Sequence, residues 1–194
     1  EGVQLWHSDD NFTWLHKGEV DGYPIKLNDI TVGPDGSLYG GSGHLDSCAL
    51  FRFKPDGTAE IIDDGLELCN GMGFSPDVST FYSTDTFKHE IYKWDHNVTT
   101  GAITNKRIFT TIPYRWGIPD GMTVDVVGRL YVCTHAGVQV FDTQGRLSGI
   151  IAKPQQKFLS NICFGGKNLD TLYVTTADKV YRRKLNTQGV RYSK

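Results

Sequence analysis

No apolar run in the 194 residues approaches the roughly 20 needed to span a membrane, and the N-terminus lacks the basic and apolar segments of a secretion signal. The chain reads as mature or as beginning internally. Cysteine is scarce. Cys48, Cys69, Cys133 and Cys163 occur without CxxC spacing, each in or beside an apolar strand-like run. That pattern argues against a zinc cluster or a disulfide framework and for buried free thiols, hence a reducing, cytoplasmic setting. The sequons Asn11-Phe12-Thr13 and Asn97-Val98-Thr99 keep secretion open. An excess of charge is missing too: 20 Lys and Arg stand against 22 Asp and Glu. No field is present to attract nucleic acid or an anionic membrane, and neither is expected as a partner. Helical periodicity is almost absent.

Short runs rich in Val, Ile, Thr, Tyr and Phe fill the chain instead, cut every few residues by Pro-Asp-Gly, Asn or Gly. This is the pattern of antiparallel strands joined by tight turns, in an all-β chain. Residues 29–42, 71–84, 121–134 and 161–176 read as one repeated unit of apolar strand, turn and apolar strand, with Tyr39, Tyr82, Tyr131 and Tyr173 in register. The spacing fits β-propeller blades of about 40 to 50 residues. A third strand follows each unit, within 49–58, 90–101, 137–147 and 179–189, and a fourth can follow, as in 59–63 and 107–112. Residues 2–18 match the outer strands of a further blade whose inner strands are missing. The prediction is a single domain, residues 1–194, holding about four and a half blades. An open arc would expose apolar sheet faces, so a missing N-terminal segment or another chain is expected to complete the ring.

Stepping back four positions from Val32, Phe74, Val124 and Phe164 lands on Asn28, Asn70, Asp120 and Ser160. All carry oxygen, and equivalent positions at the start of the innermost strands converge at one face of the channel. One carboxylate with amide carbonyls is a hard donor set that suits Ca²⁺ best, with Mg²⁺ and Mn²⁺ next and Zn²⁺ conceivable if waters complete its shell. At any single position, turn geometry is the better explanation of such a residue; it is the set of four that favours a site.

The segments NDITVGPDGSLYGGS, NGMGFSPDVSTFYSTD, IPDGMTVDVVGRLYV with GVQVFD, and NICFGGKNLDTLYVTTA resemble the senescence-marker-protein, gluconolactonase and luciferin-regenerating-enzyme family over most of residues 26–186. The resemblance implies a six-bladed β-propeller and a metal-dependent lactonase acting on a small-molecule lactone. Asn70 and Asp120 would be metal ligands. Asn28 would bind substrate or a water on the ion, and Lys26 would stand where the family has a substrate-contacting arginine. Asp120 would also be the catalytic base. Two departures matter. The family's remaining ligand, a glutamate of the first blade, has no counterpart, since Glu1 precedes strands of the wrong phase; and Lys26 cannot make arginine's planar bidentate contact. An organophosphate hydrolase on the same scaffold and a non-catalytic calcium-binding propeller are the competing readings.

Other features are weaker. YGGSGH, residues 39–44, has neither a phosphate loop's lysine nor GxSxG spacing and reads as close strand packing before a channel-face loop. His44 and His135 follow second strands and could approach the channel, against the plainer expectation of structural or solvent-facing roles. Trp116 and His135 are candidate walls of the substrate pocket. Asp85 reads as a strand-end hydrogen-bonding residue. Trp94, Phe141 and Trp6 are expected to pack between blades.

Overall fold

The computed structural model describes residues 2–43 and 47–192. A hairpin opens the chain, β1 (Gly2–Ser8) with β2 (Asn11–Lys17), followed by a two-stranded ribbon, β3 (Glu19–Val20) with β4 (Tyr23–Pro24). The first four-stranded sheet is β5 (Leu27–Val32), β6 (Leu38–Ser42), β7 (Leu50–Phe53) and β8 (Ala59–Asp63). The second is β9 (Cys69–Phe74), β10 (Thr80–Asp85), β11 (Glu90–His96) and β12 (Ile103–Thr111). A 3-10 turn at Tyr114–Trp116 leads to the third, β13 (Met122–Val124), β14 (Leu130–Thr134), β15 (Gly137–Phe141) and β16 (Leu147–Ile151). A three-stranded sheet closes the series, β17 (Leu159–Gly165), β18 (Thr171–Thr176) and β19 (Val180–Lys184).

Every sheet is an antiparallel meander, and β5, β9, β13 and β17 pack side by side as innermost strands. This is the blade plan of a β-propeller. The repeated Pro-Asp-Gly is its punctuation. Asp35 accepts from the N–H of Ser37 at 3.0 Å, Asp77 from Ser79 at 3.1 Å and Asp125 from Val127 at 3.1 Å, so the same carboxylate pins the turn between the first two strands in successive blades.

The repeated tyrosine fills the space between blades. Tyr39 meets Phe74 and Phe81 of the next blade at ring-centroid distances of 5.1 and 5.3 Å, and Tyr131 meets Phe164 at 5.3 Å. Each such ring contributes about 1.5–3 kcal/mol by leaving water, which makes these seams the main cohesive term of the fold. Trp94 and Phe141 are buried in the seams as expected.

Trp6 is not. It is 56 % exposed, stacked on Phe12 at 5.0 Å, on a hairpin face that also exposes Trp14, because no described strand lies against that side. The thiols also divide: Cys48, Cys69 and Cys133 are buried and free, whereas Cys163 on β17 is exposed. Asp85 is buried and caps the backbone N–H groups of Glu67 and Leu68 at 2.9 and 3.2 Å. Among the described residues no helix is long and apolar enough to cross a membrane.

Candidate functional site

The inner strands share an irregularity at their first residues. Leu27 pairs with Ser42 and Asp29 with Gly41, which leaves Asn28 as an extra residue; Leu159 and Asn161 pair with Thr176 and Thr175, which leaves Ser160 extra. The β9 pairing slips at the same point, where Asn70 and Gly71 lie opposite Thr84. In the third blade the N–H of Asp120 donates to Cys133 O at 3.0 Å while Gly121 O accepts from Cys133 N at 2.9 Å, so two residues again face one. A bulge turns a side chain away from the sheet's alternation. Here it occurs where each of Asn28, Asn70, Asp120 and Ser160 leaves the strand.

Glycines allow these ends to approach. A Cβ on Gly71 would lie 2.5 Å from the carbonyl oxygen of Asp120, and one on Gly121 would lie 2.7 Å from Asn161 Cα. Backbone and hydroxyl contacts then tie neighbouring blades together: Gly121 N donates to Ser160 O at 2.9 Å, Thr84 Oγ1 to Asp120 O at 3.0 Å and Thr86 Oγ1 to Pro119 O at 2.8 Å.

Asn70 is 4 % exposed. Its Nδ2 donates to Thr86 Oγ1 at 3.2 Å, which fixes the amide orientation, and its buried Oδ1 has no hydrogen-bond partner. Beside it, Asp120 is half-buried, and its pKa is pushed up to about 6, chiefly by desolvation; the Asn70 amide opposes the shift and the charge of Asp29 reinforces it. Asp29 is raised as well, by burial against hydrogen bonds from Ile30 N–H at 2.8 Å and Asn161 Nδ2 at 3.1 Å. A buried acceptor without a donor, next to a carboxylate that burial penalises, fits a hard cation. Among the described residues no cluster of three His, Cys, Asp or Glu side chains forms a metal cage, so an ion here would rely on amide oxygens and further ligands.

The remaining predicted residues divide. Asn28 is exposed and packs against Gly43, and Lys26 is exposed two residues earlier on the same approach. The Ser160 hydroxyl is engaged by Thr175 Oγ1 at 2.8 Å and turns to its own blade. Trp116 and His135 come together, since Ala136 N donates to Trp116 O at 3.2 Å, and the His135 ring meets Phe158 edge-on at 5.3 Å. His44 and Glu1 lie outside the described residues. The residues missed in the sequence are Asp29, Asn161, Thr86 and Phe158. Asp29 and Asn161 had a signal: the alignment column next to Asn28, Asn70, Asp120 and Ser160 reads Asp29, Gly71, Gly121 and Asn161, a polar pair and two glycines that make room.

Beyond the site the channel widens into a cavity of about 250 Å³ lined by Asp29, Thr31, Met72, Thr123, Asn161 and Tyr192. The C-terminal segment forms part of its wall. Val190 N donates to Val124 O at 3.4 Å, Val126 N to Gln188 O at 2.9 Å and Tyr192 Oη to Phe74 O at 2.7 Å.

Antiparallel blades whose inner strands pack side by side, with Asn70 beside Asp120 at their starts, define a β-propeller. Comparison with known proteins identifies which. The chain belongs to the family described as SMP-30/Gluconolactonase/LRE-like region, which matches residues 1–178. It is 36 % identical over 158 residues to a pentonolactonase of Haloferax volcanii, covering 79 % of this chain and 54 % of that protein. It is 31 % identical to a regucalcin of Danio rerio, covering 82 % and 57 % respectively. A solved gluconolactonase of Xanthomonas campestris superposes with a TM-score of 0.81 at 27 % identity, covering 95 % of this chain and 65 % of that one. The chain thus spans a little over half the length of these curated relatives.

Proposed function

We propose that the protein is a metal-dependent lactonase that opens the ring of a sugar lactone, with Asp120 as base and Asn70 and Asp120 as ligands of a divalent cation, Ca²⁺ before Zn²⁺, Mn²⁺ or Mg²⁺. The carrying observation is the orphaned, buried Oδ1 of Asn70 beside Asp120, in a family whose relatives include a pentonolactonase and a gluconolactonase.

The bound ion would supply Lewis-acid polarisation of the lactone carbonyl. Asp120 takes a proton from the attacking water and returns it to the ring oxygen as the ester bond breaks, so lactone and water yield a hydroxy acid. A carboxylate raised by burial is a better base than one in water, although ligation pulls its basicity back down. Thr84 and Thr86 hold the Pro119–Asp120 backbone, and the Asn70 amide is oriented by Thr86. Asn28 and Lys26 hydrogen-bond hydroxyls or the carbonyl of the sugar, Lys26 as a point charge. Trp116 and His135 form a wall on which the apolar face of the ring rests.

Acid release from glucono-1,5-lactone by full-length protein, stripped of metal and resupplied with Ca²⁺, Mn²⁺ or Zn²⁺, tests the reading. Activity returns with metal and is lost in Asp120→Ala. Folded, metal-loaded protein that opens no sugar lactone overturns it.

A further inference from the structure

The residue that follows the second strand differs from blade to blade: Gly43, Thr86, His135 and Ala177 stand at equal distances from the repeated tyrosine. A side chain that the blade itself required would recur, so the hydroxyl of Thr86 answers to something in its own surroundings. Thr86 is 4 % exposed, and its Oγ1 donates to Pro119 O at 2.8 Å and accepts from Asn70 Nδ2 at 3.2 Å. A threonine hydroxyl carries one proton, and a carbonyl can only accept. With that proton given to Pro119, Asn70 has to turn a donor towards Thr86. The two ends of an amide are nearly alike in shape, so packing alone does not choose between them. Hydrogen bonding does, and the end left over is Oδ1, buried and, among the described residues, without a partner.

We propose that Thr86 is a positioning residue for the cation, the one that decides which end of the Asn70 amide meets it. The order runs from the third blade to the second: Pro119 O fixes the Thr86 proton, Thr86 fixes the Asn70 nitrogen, and the oxygen is presented before any ion arrives. A preset ligand binds more tightly than one that must first be turned. The same chain of bonds accounts for an amide at position 70, since a carboxylate there would set two acceptors against one proton and leave one of them unsatisfied. Thr84, which donates to Asp120 O at 3.0 Å, secures the strand start by itself and leaves Thr86 free to be tested apart from it. The inference rests on the lactonase reading for the presence of the cation.

Calorimetric titration of Ca²⁺ into metal-stripped full-length protein tests it. Thr86→Val, which nearly keeps the volume and removes the hydroxyl, is expected to bind about 10- to 100-fold more weakly than wild type. Thr86→Ser, which keeps the hydroxyl, is expected to bind like wild type. The deciding comparison repeats Thr86→Val in an Asn70→Asp background. A carboxylate offers an oxygen whichever way it turns, so there the substitution is expected to cost no affinity, whereas a merely structural role for Thr86 would cost the same in both backgrounds. Thr86→Ala replaces valine in both arms if valine unfolds the protein. Equal losses in the two backgrounds, wild-type affinity in Thr86→Val, or a folded Asn70→Asp that binds no Ca²⁺ would each overturn the proposal. A wild type that binds neither Ca²⁺ nor Mn²⁺ overturns the cation site itself, and that arm separates the two failures.

Discussion

On the proposed reading, Asp120 is a functional residue that works against the fold that carries it. Burial and the nearby Asp29 raise its pKa to about 6, above the roughly 3.9 of an unfolded chain, so its contribution to stability is present below the unfolded value and is lost as pH rises through the folded one. Metal-free protein should therefore lose stability between about pH 4 and 6 from this group. Asp120→Asn, which cannot ionise, should melt a few degrees higher than wild type at pH 7 in chelator and lose the difference near pH 4, followed by circular dichroism. The same variant should be inactive, a trade of stability for chemistry. At this scale the sequence was partly legible. Asn28, Asn70 and Asp120 share one repeat position and could be grouped; Asp29 and Asn161 share the next, but their hydrogen bond could not be read, because it crosses 132 positions and depends on how β17 faces β5.

The strands and turns were the most legible level, since each blade repeats the same apolar alternation and the same tyrosine, and three blades the same Asp-pinned turn. The bulges were not. They arise from a pairing mismatch of one residue between neighbours, which neither strand declares alone. One turn departs from its siblings: where others have glycine, as at Gly36 with φ 80°, the second blade has Val78 at φ 55°. A β-branched residue in that region is strained. Val78→Gly should stabilise the protein by about 1 kcal/mol, a melting temperature raised by about 2–4 °C, without altering activity. No gain in a thermal melt would mean that valine's packing outweighs the strain.

For the molecule as a whole, the sequence disclosed the arc and its blades but not its edges. Trp6 read as a seam residue because its strand has the right pattern; it is exposed because a seam needs two sides, and the strand supplies one. If a cation links the blades at the channel mouth, loading should stabilise the whole arc. Ca²⁺ at a hundred times its dissociation constant should add about 2.7 kcal/mol, read as a melting temperature raised by about 5–10 °C and reversed by chelator. A melting temperature indifferent to Ca²⁺ would remove the ion from the account.

The C-terminal segment lines one side of the channel, through Val190 and Tyr192. On the proposed lactonase reading, with Tyr192 anchored on Phe74, a hydroxy acid formed at the mouth would share with the incoming lactone the opening that this segment leaves free. Entry and exit then exclude one another, and the accumulating product should act as a competitive inhibitor of its own formation.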